Sequence, residues 1–317
     1  MNQPRKRRHH TVPRFHLARF ANSKNQLMRV ELPGIKRHLL SIDNATVEKD
    51  FYLVETDDGS PSDAVEDALS ELEGRAATAL RSLVDQHIWP IPEEVRRPIA
   101  AWAAIQYLRT PATRQAGNDI ADAALKLSIA LGGRSQMRAA LESVEGRSVT
   151  DAEVDEMWAL MTGFEDYKYE AHQNLHIHSM DRSFPGTAAG FFGRGWNVVH
   201  FTRKALITTD TPVVLMNGPG EDPGLPIGTA TAGGVLVPLD RRMALIMGEP
   251  HTEDLQLPGS ASMAKGLNQR LVCDARRAAF HHPDDNPLEG LELPQPRDQE
   301  VASTDPRTFV TDGPGQE

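Results

Sequence analysis

The 317-residue sequence predicts an α+β fold, with short N-terminal strands, a central helical block and a strand-rich C-terminal region. Apolar side chains recur at spacings of three and four residues between residues 65 and 131, which is typical of helices that bury one face. Residues 186–250 are instead rich in Gly, Thr and Val and contain short β-branched runs, which are typical of strands. Hydrophobic residues make up 39% of the chain and charged residues 25%, which is typical of a globule with its own core.

The first predicted segment, residues 1–56, contains short strands and a basic N-terminus. Residues 27–32 alternate loosely between apolar and polar side chains and stop at a Pro-Gly pair, which is a turn signal. Residues 39–42 form a second expected strand.

A helical block is predicted over residues 57–185. The first helix is expected after Ser60, which can cap it, with Pro61 in the first helical position. The second helix is expected to hold Pro98 in its first turn, because a proline deeper in a helix removes a hydrogen bond.

Two further helices are expected in the same block. One covers residues 118–131 and ends at a pair of glycines. Thr150 and Glu153 form a capping box for the other, which we expect to run toward His172.

The strand-rich region covers residues 186–292, and its last part, residues 260–280, returns to a helical pattern. The Pro- and acid-rich tail, residues 293–317, is predicted to be disordered. The expected strands are residues 196–201, 205–209, 234–238 and 243–247.

Cysteine usage and hydropathy predict a cytoplasmic protein. The single cysteine, Cys273, excludes an internal disulfide framework, and its apolar-edged surroundings predict a small buried side chain. The sequence contains no run of 18 apolar residues and no apolar segment after its basic N-terminus. It therefore predicts neither a membrane span nor a secretory signal.

Charge is distributed unevenly along the N-terminal third. The net charge of -10 argues against a generic nucleic-acid coat protein. Residues 1–29 nevertheless carry eight Lys and Arg and no acidic residue, whereas residues 43–73 carry eleven acidic residues and one Lys. The basic segment can form a surface for phosphates, or it can pack on the acidic face of the same chain.

A basic run at residues 5–8 is followed by the pattern His9-His10-x-Val12-Pro13-x-Phe15-x-Leu17-x-x-Phe20. This pattern resembles the opening signature of a bacterial family, Domain of unknown function 4238. Further blocks resemble that family in the same order: residues 44–52, 103–114, 207–213 after Trp196, 237–240 and 268–280. The chain departs from the family pattern at His16, where Tyr is more common, at Thr209, where Ser is usual, and at Asp240, where Ser or Thr is expected. The resemblance implies a family without implying an activity.

The paired histidines are the sharpest polar feature. Adjacent side chains in an extended segment point to opposite sides, so one of His9 and His10 can face inward as a base or a metal ligand. Both are catalytic candidates, as in His-Asn-His-type nucleases, where one His activates a water, another binds a divalent ion, and the activated water attacks a phosphodiester. The alternative is that His10 only forms hydrogen bonds within the N-terminal fold.

Glu48 and Asp50 are two residues apart and share one face if the chain is extended. Paired carboxylates bind Mg²⁺ or Mn²⁺ or divide acid and base roles, so both are catalytic candidates and, with His10, metal ligands. The alternative is a solvated acidic loop that pairs with Arg14 or Arg19.

Arg109 ends an apolar helix, where it can bind an anion through two parallel hydrogen bonds or satisfy helix carbonyls. Together with Arg14, Tyr52 and Thr209, it makes up the predicted ligand-binding set. Asp210 follows a β-rich run, where it can act as a catalytic carboxylate or bond the next backbone amides in a turn.

The histidines at positions 172, 176 and 178 can bind zinc with Glu170, or form a histidine patch at the surface. Neither glycine-rich phosphate loop, GxGxxG or GxxxxGK[ST], is present in the sequence. Taken together, the candidates predict a cytoplasmic protein that binds or acts on nucleic acid or another phosphorylated ligand, with a divalent metal ion as in a phosphodiesterase. The rival hypothesis is a non-enzymatic interaction, defence or regulatory module whose polar motifs are structural.

Overall fold

The computed structural model describes residues 8–49, 51–52, 54–55, 60–218, 220 and 227–297. Helices and several sheets together confirm the α+β fold. The described chain divides into two compact units, one with the residues up to Thr113 and from Ile177 onward, the other Arg114–His176. These units do not follow the four predicted segments, because N-terminal and C-terminal strands pair within one sheet.

The N-terminal region folds into short strands: β1 (Arg8–His10), β2 (Gln26–Glu31), β3 (Lys36–Ser41), β4 (Val47–Lys49), β5 (Val54–Glu55) and β6 (Pro61–Ser62). They form the antiparallel pairs β1–β4, β2–β3 and β5–β6. In the first pair, His9 lies opposite Glu48 and His10 lies opposite Val47. The β2–β3 pair confirms the two strands predicted from the sequence.

A short helix, α1 (Arg14–Leu17), and a 3-10 turn, Ala18–Phe20, follow β1. The spaced apolar residues of the opening motif, Val12, Leu17 and Phe20, are fully buried. Packing therefore explains the apolar spacing of the motif, because the spaced side chains lie on the side of this short segment that faces the core.

The first unit contains α2 (Ala64–Leu80), which a π-helical turn, Arg81–Asp85, extends. The predicted helix start after Ser60 is wrong, because Pro61 belongs to β6 and the helix begins at Ala64. The apolar stripe of the helix was nevertheless predicted correctly, since Leu69 and Leu80 are buried.

The next helix, α3 (Glu93–Leu108), carries Pro98 in its interior rather than in its first turn. The helix begins earlier than predicted because Pro92 has an extended backbone and precedes two glutamates, which favour the positive end of a helix. Trp102 is fully buried on this helix.

Three more helices follow along the chain: α4 (Pro111–Glu145), α5 (Asp151–Met161) and α6 (Gln173–Phe192). The predicted helix end at Gly132-Gly133 is a kink inside α4. Gly133 has a φ of 64° there, a conformation that residues with a Cβ atom rarely adopt. The capping box is confirmed, because the Glu153 N–H donates to Thr150 Oγ1 at 3.3 Å and the Thr150 N–H donates to Glu153 Oε2 at 2.7 Å.

Two expected boundaries in this region are wrong. The capped helix α5 ends at Met161 and does not continue toward His172. The change to strands comes after α6, at Arg194 rather than at residue 186, because Pro185 and Gly186 lie inside that helix.

The C-terminal region supplies the larger sheets, with the elements β7 (Arg194–Phe201), β8 (Thr208–Thr209), β9 (Val214–Met216), β10 (Gly234–Asp240), β11 (Met243–Pro250), β12 (Leu255–Gly259), α7 (Ala261–Asp274) and β13 (Ala278–His281). A five-stranded sheet has the order β12-β7-β11-β10-β9, and a four-stranded sheet has the order β3-β2-β13-β8. The predicted helix over residues 260–280 is therefore only partly right, because its last residues form β13 between β2 and β8.

Both faces of the five-stranded sheet are buried along its inner strands, whereas the edge strand β12 is largely exposed. Val198 and Val235 pack with helix residues such as Trp102 in one core cluster. The neighbouring side chains Val199 and Leu236 pack with α7 and the four-stranded sheet in a second cluster. Burial on both faces explains why these strands read as nearly continuous apolar runs.

The predicted disordered tail begins at residue 293, yet its first residues are packed. Leu293 contacts the second core cluster, and the Arg297 N–H donates to the Arg276 carbonyl at 2.7 Å. The remainder of the tail, from residue 298, lies outside the described residues. Cys273 is exposed, so the prediction of a buried cysteine is wrong. Within the described part of the chain, no helix is both long and apolar enough to cross a membrane.

Candidate functional site

The side chains of the paired histidines of β1, His9 and His10, lie in different surroundings. His9 is buried, its Nδ1 accepts the backbone N–H of Tyr52 at 2.9 Å, and its ring stacks on the Tyr52 ring at 5.5 Å between centroids. This contact ties the opening motif to the second motif block. His9 and Tyr52, predicted as catalytic and ligand-binding residues, are thus in contact with each other inside the fold.

His10 opens to a groove that we call the His10 groove, which has a volume of about 350 Å³ and is also lined by Arg14, Glu66, Glu73 and Arg109. The Nδ1 of His10 donates to the Ala45 carbonyl at 3.1 Å, since a carbonyl can only accept. Burial lowers the pKa of His10 and is the largest effect; the hydrogen bond to the Ala45 carbonyl opposes it, and Arg14 lowers the pKa further. The neutral ring therefore carries its lone pair on Nε2.

The two arginines of the predicted ligand set already have partners on the protein. Arg109 is buried, and its Nη1 donates to Glu73 at 2.7 Å while Nε and Nη2 donate to Gln106 at 3.1 and 2.7 Å. Arg14 is exposed and forms an ion pair with Asp43 at 2.5 Å. Arg109 therefore holds α2 against α3 instead of ending a helix at a free anion site.

Glu48 and Asp210 lie in a different place, in a polar cavity of about 120 Å³. We call it the arginine cavity, because Arg29, Arg276 and Arg277 also line it. Thr11, Asn44 and Thr46 contribute polar atoms, and Pro111 and Phe280 contribute apolar wall. The structure thus brings Glu48 and Asp210 together and separates them from His10 and Arg109.

Asp210 organises one wall of the arginine cavity. Its carboxylate accepts the backbone N–H groups of Arg276, Arg277 and Ala278 at 2.9, 2.7 and 3.2 Å. Burial raises the pKa of this carboxyl, and the three amide hydrogen bonds oppose that rise. Asp210 was expected to bond the next backbone amides in a turn, but the amides that it accepts are 66 to 68 residues away. The local contact is made by Thr209 instead, whose Oγ1 accepts the nearby Thr211 N–H at 3.1 Å.

The same turn is fixed on its acceptor side. The Arg276 carbonyl accepts the Arg297 N–H at 2.7 Å, and the Arg277 carbonyl accepts the Leu32 N–H at 2.9 Å. Every backbone polar group of these two consecutive arginines therefore has a partner. A backbone held in this way presents its side chains to the cavity with little freedom to rearrange.

The cavity contains donors that the sequence reasoning missed. Arg29, on β2, has a buried Nε without a hydrogen-bond partner, and this atom lies 3.7 Å from Oε1 of Glu31. Arg277 forms an ion pair with Glu48 at 3.8 Å. The Oδ1 of Asn44 accepts from Arg8 at 2.8 Å, which leaves its amide nitrogen as a donor. The sequence does show the adjacent arginines Arg276 and Arg277 just before the last strand, and this basic pair could have indicated an anion site.

Five of the six motif blocks contribute residues to this one cavity. Thr11 comes from the opening motif, Asn44 and Glu48 from the second block, Pro111 from the third and Asp210 from the fourth, while Arg276, Arg277, Ala278 and Phe280 come from the closing block. A family model described as Protein of unknown function (DUF4238) matches residues 8–285, which is most of the chain. The chain belongs to the DUF4238 family. No curated protein and no solved structure matches it.

In this DUF4238 chain two of the predicted metal ligands, His10 and Glu48, do not share one surface. Cross-strand partners lie on the same face of a pair, so Glu48 shares the face of His9, and His10 lies on the other. Asp50, the third predicted ligand, lies outside the described residues. Within the described ranges, no group of three or more His, Cys, Asp and Glu side chains is arranged to hold a metal ion. The divalent ion therefore stays a prediction.

The histidines near residue 172 have local partners in this DUF4238 chain. His172 Nδ1 accepts the Asn174 N–H at 3.3 Å, and His176 Nε2 donates to Asn118 Oδ1 at 2.9 Å. Asn118 Oδ1 also accepts the Ala171 N–H at 3.1 Å. Through these two contacts Asn118 of α4 holds the first turn of α6 and Ala171 just before it, which favours the structural interpretation of these histidines.

Proposed function

We propose that this DUF4238 protein binds a phosphate-bearing ligand and holds the phosphate in the arginine cavity. The convergence of five motif blocks on this small cavity is the observation that carries the proposal. Those blocks are distant in sequence, so their meeting at one place indicates a shared role that local structure does not require.

The chemistry of the lining supports an anion. Three arginines line the cavity, against Glu48 and Asp210, and the Asp210 carboxylate is already covered by three amides. Arginine offers planar, fixed donors that match phosphate oxygens through parallel hydrogen bonds. A phosphate would also supply the acceptor that the buried Nε of Arg29 lacks.

Calorimetric titration of the whole chain with inorganic phosphate, a nucleoside monophosphate and a short oligonucleotide tests the proposal. Arg29→Met and Arg277→Met are expected to weaken binding by on the order of tenfold each, because each removes a charge-assisted contact. Arg37→Met is the matched control, since Arg37 is exposed on the neighbouring strand β3 and does not line the cavity.

Retained affinity in Arg37→Met, together with its loss in the two cavity variants, would support a phosphate site. Equal losses in all three variants would indicate general charge attraction and contradict the proposal. If none of the three ligands binds at low salt, the proposal fails and the interaction module becomes the better hypothesis.

A further inference from the structure

The size of the arginine cavity limits which phosphate it can hold. Its volume is about 120 Å³. A single water needs about 10–15 Å³ on this kind of measure, so the cavity holds on the order of ten water-sized groups. That space is enough for one phosphoryl group and the beginning of its substituent. If the proposed function is right, the phosphate enters and the rest of the ligand stays outside.

Glu48 adds a second restriction. It is the carboxylate in the cavity whose oxygens are not covered by amides, and its ion pair with Arg277 is loose, at 3.8 Å. A carboxylate repels an anion that has only acceptor oxygens. It attracts an anion that carries a proton, because a P–O–H group donates a short, charge-assisted hydrogen bond to a carboxylate.

Phosphate species differ in this proton. A phosphomonoester loses its second proton near pH 6, so a protonated fraction is present around neutrality. An internal phosphodiester and sulfate carry no such proton at that pH.

Glu48 has charged and titratable groups around it. It shares the cavity with Arg29, Arg276, Arg277 and Asp210, and the cross-strand partner of Glu48 is His9.

We propose, on the basis of the function proposed above, that Glu48 makes the arginine cavity selective for a protonated terminal phosphate. The ligand class is then a phosphomonoester or inorganic phosphate, rather than a phosphodiester backbone or a sulfate. Glu48 acts as a specificity-determining residue: it accepts a hydrogen bond from the P–O–H group of the bound phosphate while the arginines bind the other phosphate oxygens.

The test is calorimetric titration of the whole chain between pH 6 and pH 8 with inorganic phosphate, phenyl phosphate, dimethyl phosphate and sulfate. The wild-type protein is expected to bind phosphate and phenyl phosphate at least about tenfold more tightly than sulfate or dimethyl phosphate, because the latter two oppose Glu48 without a proton. Its affinity for phosphate is expected to rise as the pH falls from 8 toward 6.

Glu48→Gln should remove this selectivity, since its amide donates to an unprotonated oxygen. We expect sulfate binding to approach phosphate binding within about threefold, and the pH dependence to flatten or reverse. Glu71→Gln is the matched control, because Glu71 lies on α2, pairs with Arg75 and does not line the cavity.

The outcomes separate the two proposals. Wild-type protein that binds sulfate or dimethyl phosphate as tightly as phosphate would overturn the role of Glu48 and leave the phosphate site standing. The same holds if Glu48→Gln keeps the wild-type selectivity. Failure of every anion to bind would overturn the proposed function together with this inference.

Discussion

The backbone N–H of Arg277 donates to Oδ2 of Asp210 at 2.7 Å, although the two residues are 67 positions apart. Asp210 follows β8, and Arg277 directly precedes β13, so the contact joins the ends of two neighbouring strands. A carboxylate that looked like a catalytic candidate thus holds the backbone of an arginine that lines the cavity. The negative charge of Asp210 disfavours an anion in the cavity, whereas its hydrogen bonds hold the arginine that would bind the anion. A substitution at Asp210 can show which effect is larger.

Asp210→Asn removes a negative charge from the arginine cavity and also turns one acceptor into a donor that faces backbone N–H groups. We expect the unfolding free energy to fall by about 1–3 kcal/mol, because a buried donor loses its partner. We also expect phosphate to bind more weakly, although the cavity becomes more positive. Urea unfolding and phosphate titration measure the two effects.

Asp284→Asn is the control for that change, since the Asp284 side chain is 83% exposed and should change stability by less than about 0.5 kcal/mol. Tighter phosphate binding in Asp210→Asn would show that the charge of Asp210 matters more than its hold on the turn.

His16 makes stability depend on pH. Its ring is fully buried, with Nε2 bonded to Thr208 at 2.8 Å, and burial, with a smaller effect of Arg19, lowers its pKa to about 3. Protonation is therefore unfavourable in the folded state and favourable in the unfolded chain. The unfolding free energy should fall by about 4–5 kcal/mol as the pH drops from 6.5 toward 3, at about 1.36 kcal/mol for each unit of pKa difference.

His16→Tyr removes this titration with the residue that is more common in the family pattern. Chemical denaturation at a series of pH values should show a shallower acid decline for this variant. His38→Tyr, at an exposed position on β3, should keep the wild-type slope. Parallel slopes for His16→Tyr and the wild type would refute the assignment to His16.

A metal site built from His10, Glu48 and Asp50 has a clear thermal signature. A divalent ion at about 100 times its dissociation constant stabilises the native state by about 2.7 kcal/mol and raises Tm by several degrees. Because β1 and β4 direct His10 and Glu48 to different cavities, we expect no such rise that depends on both residues.

Melting of the wild type, His10→Ala and Glu48→Ala with Mg²⁺, Mn²⁺ and Zn²⁺ decides between these cases. A rise that disappears in both variants, accompanied by cleavage of a nucleic-acid substrate, would instead establish the metal-dependent phosphodiesterase predicted from the sequence.

The second unit depends on a buried ion pair. Lys126 is fully buried on α4, and its Nζ donates to Asp122 and to the Tyr167 carbonyl, both at 2.8 Å. Lys126→Met leaves Asp122 buried without its cation, so we expect a loss of about 3–5 kcal/mol of unfolding free energy.

The exposed pair formed by Arg134 and Asp155 is the control, since surface pairs contribute about 1 kcal/mol or less. Arg134→Met should therefore unfold at nearly the wild-type urea concentration, and Lys126→Met well below it. Similar midpoints for the two variants would show that the buried pair contributes no more than a surface pair.

The local elements and the family could be predicted from the sequence alone. Apolar spacings of three and four residues predicted the apolar stripe of α2 and the helix around Trp102, loose alternation predicted β2, and β-branched runs predicted β7, β10 and β11. The capping box at Thr150 was also readable, because its two hydrogen bonds join residues three positions apart. These features depend on neighbours in the chain, and the pattern of neighbours is what a sequence displays.

Which polar residues share a site depends on the fold of the whole chain. The sequence grouped His10, Glu48 and Asp50 because they are close along the chain, whereas the fold joins Glu48 with Arg29, Asp210 and Arg277. It also converted residues 278–281 from the expected helix end to β13, because pairing with β2 satisfies their backbone groups. Local propensity contains no information about such long-range hydrogen bonds, so the arginine cavity became visible only when distant strands met.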